Sequence, residues 1–170
     1  MKTPLKPTPK IFITISLLIA MQIILSRFLS IQTPILRIGF AFLPLSVISI
    51  LFGPFYSSLS GAISDILGAL LFPSSGVYFP GFTLTAFLSN GITGAILYKK
   101  PRHIKYIICA VILSSLTELI INTLNLYIIS GYGFLSALPA RIFSSLCMMI
   151  VKTVVIYKAG YFIASLYNKS

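Results

Sequence analysis

Carboxylates are nearly missing from this sequence: Asp65 and Glu118 are the only acids among 170 residues, and His103 is the only histidine. Two separated acids and one imidazole supply neither a spaced metal-ligand cluster nor a phosphatase-like His pair, which disfavours a membrane lipid phosphatase or phosphotransferase. The two cysteines, Cys109 and Cys147, stand alone in separate apolar runs, which disfavours a disulfide framework and predicts buried thiols. No Gly-x4-Gly-Lys-Ser/Thr run occurs, so the chain carries no phosphate-cradling loop of its own.

What is present instead is hydrocarbon. Apolar residues make up 57% of the chain and charged residues 9%, and the mean hydropathy is +1.01, a balance that soluble domains of this size do not normally reach. Six apolar segments, at about 11–26, 39–52, 55–72, 81–98, 104–129 and 137–166, are separated by Pro, Gly or charge. They predict an all-α integral membrane protein: a compact bundle of six transmembrane helices in a single domain over 1–170, the second short and the sixth long. Lys2, Lys6 and Lys10 precede the first segment, but no small-x-small site lies before Arg27, so this segment reads as a retained helix rather than a signal peptide.

Thirteen Lys and Arg against two acids give a formal charge of +11. Their placement accounts for most of it. Lys2, Lys6, Lys10, Lys99, Lys100, Arg102, Lys105, Lys158 and Lys169 fall on one side of a six-span arrangement, and Arg27 and Arg37 on the other. The positive-inside rule then puts both termini in the cytoplasm and those two arginines outside, which leaves little for a nucleic-acid reading. His103, within the basic loop, reads as solvated.

Ionisable side chains inside the segments are functional candidates, with structural pairing as the competing explanation. Glu118, Asn122 and Asn125 recur at helical spacing and form one inward stripe; Arg141, Ser145 and Lys152 form a second on the following antiparallel helix. Glu118 and Lys152 lie deep and predict an ion pair, whereas Asn125 and Arg141 lie nearer the outer end. Arg27 and Arg37 are suited to bidentate recognition of an organic anion, or to snorkelling at the interface. Tyr78, Phe79 and Phe82 offer aromatic faces to a planar ligand, or belong to an interfacial belt, as do Tyr132 and Phe134. Small-xxx-small pairs at Ser16/Ala20, Ser57/Gly61 and Ser60/Ser64/Gly68 predict close helix approach, within the chain or to a partner.

These segments together resemble the substrate-binding S components of energy-coupling-factor vitamin transporters, most nearly the folate-specific branch. The resemblance runs through Leu25-Ser26-Arg27-Phe28-Leu29-Ser30, Leu36-Arg37-Ile38-Gly39-Phe40, Leu51-Phe52-Gly53-Pro54, Gly61 to Ala69, Tyr78 to Leu84, Glu118 with Asn122-Thr123-Leu124, and Arg141. It implies a non-enzymatic folate binder of the bacterial cytoplasmic membrane, without a cofactor or metal. Such a binder captures its vitamin outside, docks on a membrane T component with two ATP-binding subunits, and tilts in the bilayer. It further implies that the Ser16-to-Ala20 face makes that docking contact. Arg27 and Arg37 then suit the glutamyl carboxylates, the aromatic outer loops suit the rings, and Asn122, Asn125 and Asp65 suit the pterin edge. The alternatives are an S component for pantothenate, riboflavin or thiamine, and a stand-alone carrier or channel conducting along the polar stripes.

Overall fold

The computed structural model describes residues 8–32, 37–72, 79–100, 103–130 and 134–169. Pro9 opens α1 (Pro9–Phe28), where a missing N–H has no consequence because the first turn lacks acceptors. Its inward face is Ile11, Ile15, Leu18, Ile19 and Ile23, recurring at helical spacing. A two-stranded antiparallel hairpin follows, β1 (Ser30–Gln32) and β2 (Arg37–Gly39), with Ser30 opposite Gly39 and Gln32 opposite Arg37. Gly39 is required there, since a side chain would collide with Cβ of Ser30.

Helix α2 (Phe42–Phe52) has 11 residues, about 16 Å at the usual rise. It is the most enclosed element: residues 44–50 are all buried, and α2 packs against α1, α3, α4, α6 and the chain's last helix. Gly53 ends it at φ 88, a conformation that disfavours any Cβ, and lies over the Tyr98 ring. Pro54 starts α3 (Pro54–Leu71), and Pro80 starts α4 (Pro80–Leu97).

The seam between α3 and α4 is made by small residues. A Cβ on Gly94 would stand 2.6 Å from Cα of Pro54, and one on Gly61 would stand 2.7 Å from the Ala86 carbonyl oxygen. Ser57 donates to the Asn90 carbonyl at 3.0 Å and shares a 2.5 Å hydroxyl contact with Ser49 of α2. On its other side α4 packs against α5 (Ile104–Ser130), which in turn packs against α6 (Phe134–Val155). A π-helical turn, Ile156–Gly160, carries α6 without a break into α7 (Tyr161–Lys169). Gly160 lets this turn approach Ser46 and Ile50 of α2, at 3.5 and 3.6 Å from its ideal Cβ position.

Among the described residues three helices are long and apolar enough to cross a membrane: Pro9–Phe28, Ile104–Ile129 and Arg141–Ile163. Length keeps α2 out of this set. Helices α3 and α4 have 18 residues each, but their Ser, Thr, Gly and Asn dilute the apolar content. Those polar groups are turned inward and bonded to neighbours or to their own carbonyls, so they meet little hydrocarbon.

Several expectations need correction. The second segment does not begin at 39, because 37–39 pair as a strand and the helix starts at Phe42. The sixth starts three residues earlier than 137 and contains the π turn, which no periodicity marked. Cys109 and Cys147 are not buried thiols but exposed on the outer surface of the bundle. In a chain of this hydropathy that surface is itself an apolar solvent, so an isolated cysteine among Ile and Leu does not signal a protein core. On α3 the small-xxx-small pairs face inward, since Ser57, Ser60, Gly61, Ser64 and Gly68 are all buried; Ser16 and Ala20 of α1 face outward.

Candidate functional site

A cavity of about 240 Å3 opens among α1 to α6 beneath the hairpin. Its upper wall is Ser26, Ser30 and Gly39: the Ser30 hydroxyl donates to the Ser26 carbonyl, and Ser30 stands opposite Gly39 in the hairpin. From α3 comes Asp65, whose Oδ2 accepts a 2.8 Å bond from the Thr83 hydroxyl of α4. From α4 come Phe82, Thr85 and Asn90. The Phe82 ring is itself braced edge-on by Phe79, with centroids 6.2 Å apart.

The floor is ionic. Lys152 of α6 reaches Glu118 of α5 at 2.8 Å, with the lysine 13% and the glutamate 38% exposed. This is the pairing that the depth of the two side chains predicts. One helical turn above Glu118, Asn122 lines the cavity, and its Oδ1 is buried without a hydrogen-bond partner among the described residues; so is Oε1 of Gln22, which enters from α1. Unsatisfied buried acceptors are rare, and both of these belong to residues that line the cavity, as a binding site for a ligand with N–H or O–H groups requires.

Beyond the Glu118–Lys152 pair, a smaller void of about 110 Å3 lies between α5 and α6, and Arg141 lines it. The two polar stripes therefore meet there. Asn125 takes another course: it is buried against Gly81, where any side chain would strike its Oδ1, and donates to the Thr85 hydroxyl at 3.4 Å. It shapes the wall without lining the cavity.

Arg27 leaves α1 toward α3 and lies on Gly68, one turn beyond Asp65, where an added Cβ would meet its Nη2 at 3.2 Å. It does not line either void. Tyr78 and Tyr132 fall outside the described residues, and only the backbone of Arg37 and of Phe134 is described. Sequence reasoning passed over Gln22, Ser26, Thr83 and Asn90. Gln22 and Ser26 did carry a signal, polar residues at i and i+4 near the end of an otherwise apolar helix.

The basic residues of the turn between α4 and α5 do not line this cavity. Lys99, at φ 52, and Lys100 form the turn into α5, and Lys100 lies 5.2 Å from the centre of the Tyr106 ring. His103 beside it is exposed, as a solvated loop residue should be.

Comparison with known proteins is specific. A family model described as the ECF transporter, substrate-specific component, matches residues 10–167. A curated relative from Clostridium novyi, "Folate transporter FolT", is 40% identical over 150 residues, 88% of this chain and 87% of the relative. A second protein of that name, from Leuconostoc mesenteroides, is 36% identical over 91 residues, 54% of this chain and 48% of its own length. Among solved structures, "Crystal structure of FolT bound with folic acid" superposes with a TM-score of 0.82 at 35% identity, covering 90% of this chain and 92% of the other.

Proposed function

The chain belongs to the substrate-specific components of ECF transporters, and from that premise we propose that it binds folate at the outer face of a bacterial cytoplasmic membrane and hands it on unaltered. In this reading the whole chain, 1–170, is one transmembrane domain with six spans and both termini cytoplasmic. The helices α2, α3 and α4 complete the count: α2 is enclosed by neighbouring protein, whereas α3 and α4 turn their small and polar residues inward and Leu59, Ile63, Leu84 and Phe87 outward. Delivery follows association with a membrane T component and two ATP-binding subunits, which supply the energy that a chain without a nucleotide loop lacks.

The observation that carries this reading is the composition of the cavity: an aromatic ring, a carboxyl and an unsatisfied amide on three different helices, closed above by a hairpin. A pterin is flat and edged with donors and acceptors. Phe82, braced by Phe79, offers it a face; Asp65, oriented by Thr83, suits its N–H edge; and Asn122 supplies a further acceptor. Asn125 holds the wall at Gly81 in place. Arg27, Arg37 and Tyr78, toward the outer end of the bundle, are assigned to the mouth of the site, and Arg141 to the adjoining void.

The test is direct. Protein purified in detergent from folate-replete cells carries a pterin that mass spectrometry detects, and the emptied protein rebinds folate in calorimetry. Asp65→Asn weakens that binding by roughly tenfold or more, the usual effect of losing a hydrogen bond to a charged acceptor. Recovery of a different vitamin, with no heat from folate, would replace the assignment.

A further inference from the structure

The void between α5 and α6 adjoins the main cavity, the two sharing Glu118, Asn122, Met148 and Lys152 as lining, and is otherwise bordered on the α6 side by Arg141, Ser144 and Ser145. Its electrostatics are the reverse of the cavity's. The main cavity faces two acids, Asp65 and Glu118, and one base, Lys152; the smaller void faces two bases, Arg141 and Lys152, and one acid, Glu118.

Arg141 cannot be neutralised from within the chain by any other side chain. The sequence holds two acids in all. Asp65 is bonded to Thr83 on the α3–α4 side, and Glu118 is held by Lys152 at 2.8 Å. Nη1 of Arg141 is buried and has no hydrogen-bond partner among the described residues. A guanidinium does not lose its proton in a protein, so a half-buried one inside a lipid-embedded bundle calls for an anion from outside the chain. Two serine hydroxyls beside it can donate to the same anion, and a void of about 110 Å3 has room for a carboxylate on a short methylene arm.

We infer that this void is a carboxylate subsite, occupied by the acidic tail of the ligand whose ring fills the main cavity. The inference rests on the folate reading for the identity of that tail. It divides the labour between the chambers: the acid-lined one takes the donor-rich ring, and the base-lined one takes the anion. Arg141, rather than an arginine at the mouth, then discriminates ligands by their tail.

The experiment compares wild type with Arg141→Gln in phosphatidylcholine nanodiscs, using folate and pteroate, which lacks the glutamyl group. Losing one charge-assisted contact should weaken folate by about tenfold to a hundredfold while pteroate changes by less than about twofold. Arg141→Lys recovers part of the folate affinity and shows that the site remains folded; should Arg141→Gln not fold, the double variant Ser144→Ala/Ser145→Ala replaces it, with an expected folate-selective loss of about threefold. Equal losses for both ligands, or no loss, would overturn the subsite. A second readout does not depend on folate: glutarate alone should raise the melting temperature of wild type saturably and leave that of Arg141→Gln unmoved. If wild type ignores folate but responds to glutarate, the vitamin assignment fails and the subsite stands. No response of wild type to glutarate removes the subsite, and so does suppression of that response by phosphatidylglycerol, which would give the void to a lipid phosphate.

Discussion

On α3, Ser57, Ser60, Gly61, Ser64 and Gly68 are all buried, and Gly61 lies so near α4 that a Cβ there would stand 2.5 Å from the Asn90 side-chain amide. On α1, Ser16 and Ala20 carry the same four-residue spacing but face away from the bundle, among exposed Phe12, Ile13, Leu17 and Ile24. The difference shows what decides the direction of a small-residue pair in a membrane protein. Lipid rewards a large apolar side chain about as well as a protein core does, so nothing forces Leu or Ile inward. On α1 five large apolar residues, Ile11 to Ile23, happen to hold the interior, and the small ones are left outside. On α3 the interior is held by small residues, with the Ser57 hydroxyl bonded to both α2 and α4, and the large residues, Leu59, Ile63, Ile66 and Leu70, go to lipid.

The comparison breaks first at Gly61. Gly61→Val would place methyl groups against the Ala86 carbonyl and force α3 from α4, an overpacking loss of about 3 kcal/mol. The thermal midpoint of the detergent-solubilised protein should fall steeply, and an unchanged midpoint would mean that the seam is not close-packed. A smaller effect is expected at the ionic floor. Glu118→Gln leaves the Lys152 ammonium without its partner, but the glutamate is 38% exposed to a wet cavity, so the loss is nearer 1–2 kcal/mol, roughly half that of a fully buried pair. The exchange Glu118→Lys with Lys152→Glu should recover most of it in the same assay; no recovery would remove the pairing as the reason.

The ionic floor was also the most legible part of the site in the sequence. Glu118 and Lys152 are rare charges at a common depth on consecutive antiparallel helices, and scarcity alone leaves few ways to pair them. The start of α3 was similarly readable from Pro54, since a proline removes an N–H that only a first turn can spare, whereas Pro9 and Pro80, which open α1 and α4, lie just outside the apolar segments at 11–26 and 81–98. The hairpin was not, because three-residue strands are too short for a period to emerge, and Gly39 acquires its meaning only from Ser30 across the ladder. The burial of α2 and the exposure of Cys109 escaped for one shared reason: hydropathy reports preference for an apolar medium, and here both lipid and protein are one. The positions of Gln22 and Asn90 on the cavity wall depend on which helices become neighbours, which a single chain's periodicity does not encode.

Gly68 sharpens the contrast within α3 itself. Unlike Gly61, it faces not backbone but the flexible end of Arg27, whose Nη2 would lie 3.2 Å from a new Cβ. Gly68→Ala should therefore cost less than about 1 kcal/mol, with the guanidinium shifting aside. A loss as large as that at Gly61 would show that the arginine is fixed in place.

The smallest effect on stability belongs to α1, and it carries the most functional weight. Ala20→Trp adds an indole at an exposed position of α1, so the isolated protein should keep its midpoint within about 0.5 kcal/mol and its folate affinity unchanged. If this outward face is where the transmembrane coupling component docks, the same substitution should abolish co-purification with that component and ATP-dependent uptake, because close helix approach depends on small side chains. Ser16→Ala, which preserves small volume, should leave both intact. A tryptophan that spares the complex would place the partner on another face, and one that also unfolds the isolated chain would mean that Ala20 packs inward after all. Only a stable, folate-binding and uncoupled protein separates the two uses of one spacing.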